Sequence, residues 1–106
     1  MLEVAMFKVM ILLTRRDDMT QDQFASWWLI EHAPMARQLP GAQRITFNLV
    51  EQGPDAVCSG ITELWFESRE AFEAAYATEI GKQVAADSMA HVSSRVRVPV
   101  EEHAIF

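Results

Sequence analysis

Glu31 and His32 set a carboxylate beside an imidazole, one helical turn after the paired indoles Trp27-Trp28 and just before Pro34. On a helical wheel of roughly 100° per residue, Glu31 falls within the apolar stripe of Phe24, Trp27, Trp28 and Met35. His32 lies at its edge, roughly 40° from Trp28. Two readings stand. In one, burial raises the carboxylate pKa, a neighbouring charge tunes the imidazole, and the two form an acid/base pair in an apolar pocket. In the other, Glu31 tips out to solvent and His32 caps carbonyls freed at Pro34, whose ring removes a helical donor. The tryptophans are a stacking platform for a flat substrate in the first reading and plain core in the second.

Asn48 falls in a strand, on the opposite face from Ile45, Phe47 and Leu49. Its amide either holds a substrate oxygen or faces solvent. Trp65 carries the same ambiguity as the helix tryptophans, and His103 runs in phase with Ile105 near the end of the chain. The candidate catalytic residues are therefore His32, Glu31 and Asn48. The candidate substrate-binding residues are Trp28, Trp65, Trp27 and His103. His32, His91 and His103 lie far apart and lack close ligand spacing, so no metal is expected. The single cysteine, Cys58, forms no intrachain disulfide or Cys-based zinc site, and no neighbouring His activates it. No glycine-rich phosphate loop or dinucleotide fingerprint is present, and no cofactor is expected.

The elements that must position these residues follow from periodicity. Residues 4–14 read as a strand, with Phe7, Val9, Ile11 and Leu13 on one face and Lys8, Met10 and Leu12 on the other. Thr20-Gln21-Asp22-Gln23 is a capping-box pattern that opens the first helix. Pro34 should break or kink it near Ala33, with a short turn continuing to Gln38 and Leu39-Pro40-Gly41 stopping it. Residues 43–51 and 60–67 read as strands, separated by a Gly/Pro loop. Ser68 caps a second helix carrying Phe72, Ala75, Tyr76 and Ile80. Gly81 interrupts it, and residues 82–90 form a second short helix. A last strand is read within residues 96–106, with Pro99 marking an edge or a bend. The order β-α-β-β-α-β predicts an α+β, ferredoxin-like fold: a four-stranded antiparallel sheet with both helices on one face. The helix-free face carries Met10 and Leu12, each worth about 1.5–3 kcal/mol when fully buried. A second copy of the chain is the simplest cover, giving a homodimer built as a dimeric α/β barrel.

Composition narrows the class. The 106 residues suit one domain, residues 1–106, and half of them are hydrophobic. The net charge of -6 and the scattered nine Lys and Arg argue against nucleic acid and against a membrane surface. The run Val9 to Leu13 is too short for a membrane span, and no basic region precedes it. The lone cysteine fits a cytoplasmic setting.

Several segments, taken in order, resemble the EthD family. They are residues 6–16, then Met19-Thr20, Phe24 with Trp27-Trp28, Glu31-His32-Ala33-Pro34 and Leu39-Pro40-Gly41. Further on come Glu63-Leu64-Trp65-Phe66-Glu67-Ser68 and Val98-Pro99-Val100-Glu101-Glu102-His103. The resemblance implies a ferredoxin-like subunit, a homodimer and a role in small-molecule catabolism, often under an oxidoreductase label. Around His32 and around Trp65-Phe66 the chain is also similar to methylmuconolactone methylisomerase. It lacks that enzyme's cysteines, and Ile45 stands near the place of its strand tyrosine. The first expectation is a cofactor-free enzyme of isomerase or cyclase type, acting on a small hydrophobic or aromatic oxygenated molecule, with His32 as general acid/base. The alternatives are a non-catalytic accessory or binding protein of an oxidative pathway, a haem-type monooxygenase, and a domain whose pocket is vestigial.

Overall fold

A computed structural model describes residues 6–106; the first positions of the expected opening strand, Val4 and Ala5, lie outside the described residues. Strand β1 runs over Phe7–Arg15. Helix α1 covers Gln21–Ser26, continues through a π-helical turn over Trp27–His32, and ends in α2, Ala33–Ala36. Strands β2 (Arg44–Leu49) and β3 (Gly60–Phe66) follow. Helices α3 (Arg69–Ala77) and α4 (Glu79–His91) lead into β4, Val92–Val100. The strands form one antiparallel sheet in the order β2-β3-β1-β4. This is the expected ferredoxin-like α+β arrangement.

The caps are those the sequence announces. Thr20 Oγ1 accepts from the Gln23 backbone at 3.1 Å, and Gln23 Oε1 accepts from the Thr20 backbone at 2.8 Å. Ser68 Oγ caps α3 through the Ala71 N–H at 3.1 Å. Gly41 closes the first helical segment at φ 79°, a left-handed conformation that favours glycine.

Three features differ from expectation by more than a residue or two at an element's end. The break between the later helices falls at Thr78, not Gly81. Thr78 Oγ1 donates to the Ala75 carbonyl and accepts from the Gly81 N–H, closing α3 and opening α4 with one side chain. Gly81 sits inside the first turn of α4 because a Cβ there would lie 2.1 Å from the Ala75 oxygen. The last strand starts at Val92 and ends at Val100, so His103 and Ile105 lie beyond the sheet. Pro99 is tolerated because β4 is an edge strand.

The third difference is the π turn. The Ala33 N–H reaches back five residues to the Trp28 carbonyl. In an α-helix the residue stacked over Trp27 would be Glu31; in a π turn it is His32. His32 is accordingly buried, and Glu31 is exposed.

The core lies between the helices and one face of the sheet. Trp28, Phe24, Phe66, Leu13, Leu64 and Val9 are its fully buried side chains. Trp28 stacks on Phe47, with centroids 4.4 Å apart. Its ring lies so close to β3 that a Cβ on Gly60 would meet it at 2.6 Å. The opposite, helix-free face presents Val96 and Val98 to solvent, 49% and 36% exposed. No helix among the described residues is long and apolar enough to cross a membrane.

Candidate functional site

The π turn delivers His32 into the space between helix layer and sheet, where α4 supplies its partners. Asp87 Oδ2 lies 2.8 Å from His32 Nδ1 and also accepts the Trp27 indole N–H at 3.1 Å. An ionised carboxylate only accepts, so Nδ1 carries the proton and Nε2 presents a lone pair. Ser88 Oγ lies 3.3 Å from Nε2 and is its donor in that tautomer. His91, one turn after Asp87, donates from Nδ1 to the Asp87 backbone carbonyl at 2.8 Å and stacks on Trp27 at 4.4 Å. Burial lowers the pKa of His32, with Asp87 opposing the shift and nearby Arg95 adding to it. The imidazole is therefore neutral near pH 7, oriented, and equipped to take a proton.

His32 and Ser88 border a small interior cavity of about 10 Å³, room for about one water molecule. Ile11, Leu13, Leu64 and Phe47 are among its apolar walls; Thr62, Tyr76, Ser88 and Arg95 bring polar groups to it. Phe47 also lines an open groove of about 380 Å³ between α2 and β2, together with Ala33, Arg37, Ala42, Gln43 and Ile45. Phe47 is thus common to the cavity beside the buried imidazole and to a groove of ligand size.

The sequence candidates fall into two groups, divided by the sheet. His32, Trp27 and Trp28 are together on the helix side. Trp27 holds Asp87, while Trp28 is core, its buried Nε1 without a hydrogen-bond partner among the described residues. Glu31 is the correction within this group: it faces an outer groove beside Gln23, Ser26 and His91, and the carboxylate on His32 is Asp87. On the helix-free face, Asn48 Nδ2 donates to Glu63 Oε1 at 2.8 Å and to the Ile61 carbonyl at 3.0 Å. Trp65 Nε1 donates to Glu102 Oε1 at 2.9 Å. Lys8 Nζ bridges Glu63 and Glu102, both at 2.9 Å, and lies 4.6 Å from the Trp65 ring centroid. His103 is exposed and contacts Glu101 at 2.6 Å. The sheet therefore separates Asn48 and Trp65 from His32.

Sequence reasoning missed Asp87, Ser88, Tyr76 and Arg95. Two signals were present. Ser88 follows the buried Val84 by one turn, and Asp87 and His91 share an i,i+4 face. Among the described residues no three His, Cys, Asp or Glu side chains come together as a metal cluster would require.

Comparison with known proteins agrees with this architecture. An EthD family protein from Bacillus halodurans superposes with a TM-score of 0.81 at 21% identity, over 92% of this chain and 99% of that one. A dimeric ferredoxin-like protein of unknown function from Thermobifida fusca gives 0.75 at 13% identity, over 94% and 93%. SnoaB, a cofactor-independent oxygenase from Streptomyces nogalater, gives 0.68 at 17% identity, over 95% and 96%. At these identities the likeness establishes the fold alone. No curated protein matches the chain in sequence. The EthD domain model, however, matches residues 16–94, a stretch spanning every helix together with β2 and β3, and on that match the chain belongs to the EthD family.

Proposed function

We propose that the protein is a cofactor-free enzyme of small-molecule metabolism, moving a proton on a small hydrophobic, oxygenated compound with His32 as general base and acid. One observation carries this reading: a buried, neutral imidazole has Nδ1 fixed by Asp87 at 2.8 Å and Nε2 beside only Ser88 at 3.3 Å, and the residue lines a cavity that also takes in Thr62, Tyr76 and Arg95. An imidazole kept neutral by burial accepts a proton at ordinary pH, and the Asp87 carboxylate stabilises the imidazolium that forms. Trp27 supports this by holding Asp87 through its indole N–H. The substrate lies in the groove against Ala33, Ala42 and Ile45, and its reacting end passes Phe47, which swings aside. The cofactor-independent oxygenase among the structural neighbours is consistent with chemistry run by side chains alone.

Two copies pair through the helix-free face, covering Val96 and Val98, as the neighbours described as dimeric suggest. Glu31, Asn48, Trp65 and His103 then serve solvent contact and assembly rather than the reaction.

The test is solvent deuterium incorporation, followed by proton NMR, across a panel of small lactones and aryl ketones. Wild type should label at least one compound and His32→Gln should not. Equal labelling by the two proteins, or none by wild type, removes the acid/base role.

A further inference from the structure

Arg95 is the other unusual group at this cavity. It stands on β4 opposite Leu13, so its side chain enters the helix side of the sheet. Its Nε is buried and has no hydrogen-bond partner among the described residues. None of the ion pairs among those residues includes it. A guanidinium remains charged in proteins; Tyr76 is a side-chain hydrogen-bond partner of this half-buried one, and its buried Nε is left over, which is costly. An aliphatic side chain would fill the same space at lower cost. Tyr76, with its ring centroid 5.8 Å from the Arg95 guanidinium, lines the same cavity. Burial raises the Tyr76 pKa, with Arg95 and Arg97 opposing the shift, so its phenol stays protonated and able to donate. A neutral base, a guanidinium with one unpaired buried N–H and a phenol thus border one space.

We propose that Arg95, with Tyr76 beside it, binds the oxyanion that forms when His32 removes a proton. The substrates are then carbonyl compounds bearing a hydrogen on the adjacent carbon. This rests on the acid/base role of His32. His32 Nε2 takes the proton from the carbon next to the carbonyl. The C–H pair becomes a C=C bond, and the carbonyl π pair moves onto oxygen as an enolate, which accepts from Arg95. His32 then returns the proton to the same carbon or to a conjugated one. Atoms and electrons balance with no other reactant; return to a conjugated carbon, or to the opposite face of the same one, is an isomerisation, and return to the same face is exchange alone. Donors aimed at the oxygen where charge develops lower the barrier, because they are fixed before reaction.

The probe is 4-nitrophenol, whose anion absorbs visible light and resembles an enolate; 4-nitroanisole is its uncharged counterpart. Binding is measured by spectrophotometric titration in wild type, Arg95→Met and Arg95→Lys, each also with Phe47→Ala to open the cavity. Wild type should hold the phenolate about tenfold tighter than Arg95→Met, with Arg95→Lys between them and 4-nitroanisole changed by less than about twofold. Phenolate binding that is absent, or indifferent to Arg95 in both backgrounds, overturns the assignment. A fold damaged by Arg95→Met would weaken both probes together, and the Arg95→Lys comparison then decides. His32-dependent deuterium labelling with Arg95-indifferent phenolate binding removes Arg95 alone. Arg95-dependent phenolate binding without labelling of any ketone removes the acid/base reading and leaves an anion site.

Discussion

Both faces of the sheet carry a cluster of charged and aromatic side chains, and the two clusters differ in how fully they are satisfied. On the helix-free face, Lys8 is shared by Glu63 and Glu102, Asn48 takes the remaining Glu63 oxygen, and Trp65 takes the remaining Glu102 oxygen. Every carboxylate oxygen there has a donor. On the helix side, His32 Nε2 has only a long contact to Ser88, and Arg95 Nε has none. A closed network holds a surface together; surplus hydrogen-bonding capacity in a buried setting is available to a ligand. The two tryptophans that donate to carboxylates illustrate the same contrast. Trp65 completes a network, whereas Trp27 braces the carboxylate that holds the His32 ring.

The largest expected effect separates the faces kinetically. His32→Gln should lower turnover about 10²–10⁴-fold, while Asn48→Ala leaves it nearly unchanged. A loss of similar size in Asn48→Ala would put chemistry on the wrong face and end the distinction. Next comes packing on the helix side. Trp28→Ala should destabilise the fold by about 3–5 kcal/mol, read from urea denaturation, because it empties the space between Phe47 and Gly60. A change below about 1 kcal/mol would mean that the space collapses freely.

Smaller still is the closed network. Lys8→Met should cost about 1–3 kcal/mol, since it leaves two carboxylates facing each other, yet turnover should persist. Loss of activity at retained stability would tie the helix-free face to the reaction.

The finest comparison is pH. The pKa of His32 is lowered on folding from its ordinary 6.5, first by burial. Below that value the unfolded chain takes up a proton that the native site resists. This contribution to stability is therefore present above about pH 6.5 and fades as pH falls toward the folded pKa. Lys8 behaves oppositely. Its hydrogen bond to Glu63, above all, raises its pKa above 10.5. Its contribution is present below that value and lost as pH rises through the folded pKa. Denaturation midpoints across pH should thus lose part of their acid slope in His32→Gln and part of their alkaline slope in Lys8→Met. Unchanged slopes in both variants would mean that other groups govern the profile.

Much of the fold was legible because its signals are local. The Thr20 capping box, the Ser68 cap, the alternation along Phe7–Leu13 and the Leu39-Pro40-Gly41 stop each lie within a few residues. The site was legible in part. His32 stood out beside Trp27-Trp28 and Pro34, but a wheel with α-helical spacing put Glu31 in the wrong place. A π turn depends on which carbonyl the Ala33 N–H reaches, and residue types do not announce it. In β4 the residue types do not announce the buried face. Val96, Val98 and Val100 suggest the inward face, yet they lie on the helix-free side, and the alternating Arg95 and Arg97 lie under the helices.

By itself, then, the sequence determined the element order, the caps, the apolar periodicity and an imidazole on a tryptophan-bearing helix, all consequences of short-range sterics and hydrogen bonding. Only the tertiary structure decided that Asp87, some fifty residues from His32, holds its ring, that Arg95 reaches the same cavity, and that Asn48 and Trp65 are shut away behind the sheet. Those relations depend on how helices pack across strands, where the sign and partner of each buried charge are set by distant neighbours.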